Sequence, residues 1–312
     1  MNSTRPLNRR EFLQTSVGLA ALASPVVSAA QPPFARPAAL ASRQQLKKGF
    51  MLSKLNRPAA RLREKFELLR DAGFAGVEVL GSMDQPEVLA ARDATGLQIP
   101  SVVVATHWAK PLTDPSPAVR EVGLEGLKQA LRDAKAYGAS SVLLVPGVVS
   151  KAVSYEEAYA RSVAEITKAL PLAESLGVAI AIENVWNQFL LSPLEAVHYV
   201  DSFRSPFVRW HFDVGNVIAT GWPQHWIHAL GKRIVKIHVK EYSRELRDTK
   251  GPRAGFDVDL LEGDSDWPAV MAALDQVGYA GWLITEQYRP PNLTDAEYLR
   301  QLVSKLDQII AS

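Results

Sequence analysis

Short apolar runs recur along the chain, each followed by a longer segment in which apolar residues return every three or four positions. Uninterrupted short runs mark strands buried on both faces, and the periodic segments mark amphipathic helices. Strands are predicted over Lys48–Leu52, Gly76–Leu80, Ile99–Ala105, Ser141–Val145, Val178–Ile182, Val208–Phe212, Ile234–Val239 and Gly281–Thr285. Helices are predicted over Pro58–Ala72, Pro86–Thr95, Pro117–Tyr137, Ser154–Leu176, Pro193–Ser202, Gln224–Leu230, Trp267–Val277 and Asp295–Ile310. Leu62, Phe66 and Leu69 mark the inward face of the first helix, and Gly73, Gly96 and Gly138 supply helix stops. Ser154 with Glu157 forms a capping box, and Ser192 caps the fifth helix.

Regular alternation of strand and helix argues for parallel strands joined by right-handed crossovers. Eight strand–helix pairs predict an α/β fold, a single-domain (β/α)8 TIM barrel occupying residues 46–312. The competing open, doubly wound sheet lacks support, because no Gly-x-Gly-x-x-Gly turn follows any strand. The longest connection, Glu241 to Asp266, contains Gly251-Pro252-Arg253-Ala254-Gly255 and Glu262-Gly263-Asp264. On a barrel it lies at the catalytic face, so it reads as a lid or substrate-binding loop, with a solvated insertion as the plainer alternative.

The pattern differs at the N-terminus. Asn8-Arg9-Arg10-Glu11-Phe12-Leu13-Gln14 resembles the twin-arginine export motif, and an apolar run from Val17 to Val27 follows. Broken by Ser24-Pro25, that run is too short to span a bilayer. Val27-Ser28-Ala29 or Ser28-Ala29-Ala30 suits signal-peptidase cleavage. Residues 1–30 are therefore expected to be a twin-arginine signal peptide and residues 31–45, rich in Pro and Ala, a linker. The expected mature protein is periplasmic, carried folded by the twin-arginine machinery and without a stable membrane anchor after cleavage.

The formal charge of +2 is accounted for by Arg5, Arg9, Arg10 and Glu11, so the remainder is neutral. A neutral domain lacks the basic footprint of a general nucleic-acid binder. The absence of cysteine excludes disulfides, cysteine-ligated zinc and thiol nucleophiles. With 47% hydrophobic and 22% charged residues, the composition is that of an ordinary globular protein.

Candidate chemistry concentrates at the ends of the last four strands. The fifth runs through Ala179-Ile180-Ala181-Ile182 into Glu183, the sixth ends in Asp213, the seventh carries His238 and the eighth leads to Glu286. Alone, each has a plainer reading: a solvated glutamate, an aspartate capping a turn, a core histidine. Together, on four adjacent strand tips that surround one opening, they form an oxygen-rich set with a single imidazole. Such a set suits Mn²⁺ or Mg²⁺, or Co²⁺ as a substitute, better than a structural zinc.

These residues sit in Ile182-Glu183-Asn184, His211-Phe212-Asp213-Val214-Gly215-Asn216, Lys236-Ile237-His238-Val239-Lys240 and Thr285-Glu286. So placed, the motifs resemble the xylose-isomerase-like barrel superfamily, and within it the sugar-phosphate isomerase/epimerases and ketose 3-epimerases. The resemblance runs from Lys48 to Ile310. It implies that Glu183, Asp213, His238 and Glu286 bind one divalent ion, and that Glu183 and Glu286 also exchange protons with a small carbohydrate substrate. Where the ketose 3-epimerases and the DNA-repair branch commonly have Asp-x-x-His, this chain has Asn216. That departure removes a ligand which a multi-zinc nuclease site would need, and with it the family's sugar contact at that position; Asn216 can still hydrogen-bond a hydroxyl.

Softer candidates for the substrate pocket are His107, Trp108, Asn184, Trp186, Asn216, Lys240 and Glu241, with Trp222 and Glu78 behind them. The expected activity is sugar epimerisation or isomerisation. A lyase or dehydratase on a keto-sugar or keto-glycoside is an alternative, as is an exported carbohydrate-binding protein without turnover. The particular sugar, its phosphorylation and the oligomeric state, a homo-oligomer included, stay open at this level.

Overall fold

Helix termini are set where side chains satisfy the otherwise unpaired backbone groups. The computed structural model describes residues 43–55, 57, 59–287 and 292–312. The signal peptide expected over residues 1–30 lies outside the described residues, as does the expected linker up to residue 42. Arg43, placed in the linker by composition, is already tied to the barrel through Asp275 at 2.8 Å.

In chain order the elements are β1 (Lys47–Met51), α1 (Leu62–Ala72), β2 (Gly76–Leu80), α2 (Gln85–Thr95), β3 (Ser101–Val103), α3 (Pro117–Tyr137), β4 (Ser141–Leu144), α4 (Tyr155–Leu176) and β5 (Ala179–Glu183). Next come α5 (Pro193–Ser202), β6 (Val208–Asp213), α6 (Val214–Ile218), α7 (Pro223–Leu230), β7 (Ile234–Val239), α8 (Arg244–Lys250), α9 (Trp267–Val277), β8 (Trp282–Thr285) and α10 (Asp295–Ala311). The strands pair in parallel, each with its sequence neighbours, and β1 pairs with β8 to close an eight-stranded barrel. This is the TIM barrel that the alternation predicts.

The differences from the predicted boundaries have local causes. Helix α1 starts at Leu62 rather than Pro58; there the Glu64 carboxylate accepts from the Arg61 N–H at 3.3 Å and from its guanidinium at 2.7 Å. Strand β3 shrinks from Ile99–Ala105 to Ser101–Val103; Pro100 has no N–H to give to a ladder. After Met51 the chain coils into a 3₁₀ turn over Leu52–Lys54 instead of extending β1. Strands β5 and β6 run one residue further than predicted, so that Glu183 and Asp213 belong to the sheet. Both capping predictions hold, with Ser154–Glu157 and Ser192–Glu195 boxes.

Phe50, Val77, Val79, Val102, Val142, Ile180, Ile182, Trp210, Phe212, Ile237 and Val239 are buried in the hydrophobic core. Strand residues alternate faces, so the opposite set, Glu78, Ser101, Ser141, His211 and Lys236, fills the barrel interior; all five are buried. At the N-terminal end Trp282 plugs the barrel, and its ring lies where a side chain on Gly76 would have to go. Among the described residues, no helix is long and apolar enough to cross a membrane.

Candidate metal centre and active site

Parallel register brings the ends of β5 to β8 to one level. Glu183 stands opposite His211, Asp213 opposite His238, and Val239 opposite Thr285, the residue before Glu286. Glu286 lies just past β8, where its N–H donates to the Val239 carbonyl at 3.1 Å. As a result Glu183, Asp213, His238 and Glu286 each present a ligand atom within 4.8 Å of the others. From His238 Nδ1 the nearest oxygens are Glu183 Oε1 at 3.0 Å, Glu286 Oε2 at 3.5 Å and Asp213 Oδ2 at 3.8 Å.

Two lysines complete the charge balance. Lys240 Nζ lies 2.7 Å from Glu286 Oε2 and 2.9 Å from Asp213 Oδ2, and Lys54 Nζ lies 2.9 Å from Glu286 Oε1. The carboxyls respond differently. Burial pushes Glu183 up to about 7, against the pull of His238. Burial also raises Asp213, outweighing Lys240. For Glu286, burial acts upward as well, but Lys240, His238 and Lys54 overcome it and hold this carboxyl well below the usual range. The two glutamates facing the cavity are thus electrostatically unlike.

A divalent ion fits this donor set. Three carboxylates and one imidazole converge, and Asp213 Oδ2 is buried among them with the Lys240 ammonium 2.9 Å away. Oxygen-rich sites of this kind suit hard or intermediate cations. Behind the quartet, His238 Nε2 is 2.8 Å from Glu78 Oε2, and the His211 ring lies 4.1 Å from that of His238.

The quartet opens on a cavity of about 570 Å³, whose walls include Glu183, Glu286, Lys240, His107, Trp108, Trp186 and Asn216. His107 is buried, and its Nδ1 accepts the Val145 N–H at 3.2 Å, so the neutral ring carries its proton on Nε2. Burial pushes its pKa down to about 4. Trp108 stands on the rim, 52% exposed. Trp186 donates from Nε1 to the Asn216 carbonyl at 2.9 Å and packs on Tyr242 and Phe256.

Two predicted contacts are placed elsewhere. Asn184 is buried outside the cavity wall and spent on the neighbouring strand: its Oδ1 accepts from Trp210 Nε1 and the Asp213 N–H, and its Nδ2 donates to the Asp213 carbonyl. It holds a ligand's backbone rather than a substrate. Glu241 is fully buried and accepts hydrogen bonds from the N–H groups of Leu261 and Ser265 and from Trp267 Nε1. It fastens the long loop instead of facing the cavity. Trp222 is exposed and packs against His225 and Arg244.

Sequence reasoning passed over Lys54, Phe256, Arg253 and Asp257, which also line the cavity. Arg253 and Phe256 lie in the 3₁₀ turn Pro252–Phe256 and Asp257 follows it, so part of the long loop read as a lid or substrate-binding loop lines the cavity. The charges in the loop are visible in the sequence; which of them turn inward is not. Lys54 comes from the turn after β1 and meets Glu286 only because the barrel closes.

Fold and centre together define a TIM-barrel protein with an acidic, single-histidine metal-type site at the C-terminal ends of its strands. Residues 66–308 match the family described as xylose isomerase-like TIM barrel, and the chain belongs to that family. It is 27% identical over 243 residues to L-ribulose-5-phosphate 3-epimerase UlaE of Salmonella paratyphi C, covering 72% of this chain and 81% of the relative. A D-allulose 3-epimerase from Methylomonas sp., solved in complex with D-allulose, shares the fold at a TM-score of 0.67 and 21% identity, covering 84% of this chain and 96% of that one. A structure of L-ribulose 3-epimerase gives a TM-score of 0.70 at 17% identity, with 85% and 95% covered. These relatives are sugar epimerases, enzymes of the isomerase class.

Proposed function

We propose that the protein is a divalent-metal-dependent sugar epimerase or isomerase that works by proton transfer through an enediolate, with Glu183 and Glu286 as the proton-transferring pair. The observation that carries this reading is the convergence of Glu183, Asp213, His238 and Glu286 within 4.8 Å at one end of the cavity. The resident ion is proposed to be Mn²⁺, with Mg²⁺ or Co²⁺ as substitutes. When bound, a divalent ion supplies Lewis-acid stabilisation of charge developing on a carbonyl and an adjacent hydroxyl oxygen.

The chain's own groups do the rest. One glutamate removes the proton α to the carbonyl, and the other returns a proton to the opposite face of the same carbon. Return to the neighbouring carbon would instead interconvert aldose and ketose. Lys240 and Lys54 offset the charge of Glu286, and Asp213 and His238 hold the centre without exchanging protons. Trp108 and Trp186 offer aromatic faces, and His107 and Asn216 polar groups, to the body of a sugar. Export to the periplasm is part of the proposal and rests on Arg9-Arg10 and the apolar run behind them.

The test is solvent-deuterium incorporation at the carbon α to the carbonyl, across a panel of free and phosphorylated ketoses with Mn²⁺ supplied. Exchange in the wild type that is lost in Glu183→Gln and Glu286→Gln supports the mechanism. Exchange that persists in both variants refutes it.

A further inference from the structure

Below the proposed metal centre, the barrel interior holds a carboxylate that the proton-transfer scheme does not use. Glu78 projects from β2, on the side of the barrel away from β6 and β7, and is 1% exposed. Its Oε2 meets His238 Nε2 at 2.8 Å, while Oε1 has no hydrogen-bond partner and lies 3.9 Å from His211 Nδ1. Both nitrogens of His211 are likewise buried without a partner. A leucine or valine would fill such an interior position at lower cost. Burying a carboxylate with one unsatisfied oxygen works against folding. Local choices that oppose stability cluster where function demands them.

His238 shows what this carboxylate does. Its Nδ1 faces the three carboxylates of the quartet and its Nε2 faces Glu78. Only one ring nitrogen of a neutral imidazole offers a lone pair, and the hydrogen bond at the other decides which. A proton on Nε2, donated to Glu78, leaves the Nδ1 lone pair directed at the centre. We infer that Glu78 is a positioning residue that fixes the tautomer and ring orientation of His238, so that the quartet is built to receive a divalent cation, with His211 as the neutral wall that keeps the ring in place. The inference rests on the reading of the quartet as a metal centre. It adds that the affinity of that centre is set in part from across the barrel. Outer partners of metal-bound histidines typically govern affinity by ~10–100-fold.

The test is Mn²⁺ binding by isothermal titration calorimetry to the wild type, Glu78→Gln and Glu78→Ala, with near-UV circular dichroism to establish that each is folded. Glu78→Gln keeps volume and an acceptor oxygen but removes the charge; Glu78→Ala removes both. The expected result is a dissociation constant raised modestly in Glu78→Gln and by about 10–100-fold in Glu78→Ala. Nitrogen NMR of labelled histidine in the proteins loaded with diamagnetic Mg²⁺ gives an independent readout: His238 protonated on Nε2 in the wild type, and mixed tautomers in Glu78→Ala. If the folded Glu78→Gln variant binds Mn²⁺ with wild-type affinity and its His238 tautomer is the same with and without the Glu78 charge, while Glu78→Ala behaves likewise or fails to fold, the inference is wrong but the metal centre stands. If the wild type itself binds no divalent ion, the metal reading fails, and this inference falls with it.

Discussion

The two halves of the barrel are built alike and used differently. From β5 to β8, every strand tip delivers a charged or ionisable side chain to one point: Glu183, Asp213, His238 and Glu286. From β1 to β4, the cavity receives Met51, Val103, Leu143, His107 and Trp108, an apolar and aromatic wall with a neutral imidazole, and one cation, Lys54, which pairs with Glu286 across the closure. The buried carboxylate of this half, Glu78, serves the other half through His238. A repeated βα unit thus supplies reactive groups on one side and a shaped surface on the other. If that division is real, substitutions on the two sides must fail in different ways.

The largest effect is expected at the acid–base pair. Replacing Glu183 or Glu286 by glutamine should lower turnover by ~10²–10⁴-fold, the usual contribution of one general acid or base. Side-chain volume is kept, so the folded state should persist by circular dichroism. A drop in kcat with an intact fold is the signature expected of the β5–β8 half; a loss confined to KM would break the comparison at its strongest point.

His107, on the opposite wall, should reveal itself through stability rather than rate. Burial lowers its pKa from the ordinary 6.5 to about 4. Between those values the unfolded chain takes up a proton that the folded protein refuses. Stability is therefore fully present above about pH 6.5 and falls as the pH drops toward 4, by about 3 kcal/mol over the window. Denaturant titrations from pH 4 to 7 should show a shallower decline in His107→Gln than in the wild type. Equal slopes would mean that the folded imidazole titrates normally.

Where the halves meet at the barrel floor, Gly76 of β2 leaves room for Trp282 of β8. A Cβ at Gly76 would lie 2.6 Å from the indole and 2.7 Å from the Gln98 carbonyl oxygen. The backbone oxygen cannot rotate away, so Gly76→Ala should destabilise by about 1–3 kcal/mol, as overpacking does. Thermal or denaturant unfolding measures this, and Mn²⁺ affinity should be unchanged because the strand tips lie at the other end. A stable Gly76→Ala protein would show that the floor yields more easily than its packing suggests.

Much of this was legible in the sequence, and the limits have physical causes. Strands β2 and β7 and helices α3, α5 and α9 lie where periodicity puts them, because long periodic segments and capped ends are local signals. The short helix Val214–Ile218 was not foreseen; Asp213 read at most as the cap of a turn, and its side chain, accepting from the Asn216 N–H, caps a helix instead. The quartet was visible because parallel strands end at a common level, so position along a strand translates into position in space. Residues just past a strand tip obey no such rule. Asn184 and Glu241 stand next to ligand-bearing strand ends, yet tertiary hydrogen bonds to Asp213 and to the long loop turn both away from the cavity. Lys54 reaches Glu286 only through closure of β1 on β8, a contact no local pattern encodes.

The smallest and most discriminating effect is expected at Trp108. Half exposed on the rim, this ring contributes little to folding, and Trp108→Ala should alter stability by no more than about 0.5 kcal/mol. Its ring meets that of His107 edge-to-face at 5.6 Å. If it serves as a sugar-stacking face, its loss removes about 0.5–1.5 kcal/mol of binding that ground state and transition state share. KM should then rise roughly 2- to 10-fold while kcat stays near wild type. The pattern is the reverse of that expected for Glu183 and Glu286. Steady-state kinetics on any ketose that exchanges deuterium will decide it. A fall in kcat at constant KM would place Trp108 in the reacting machinery and erase the distinction between the two walls.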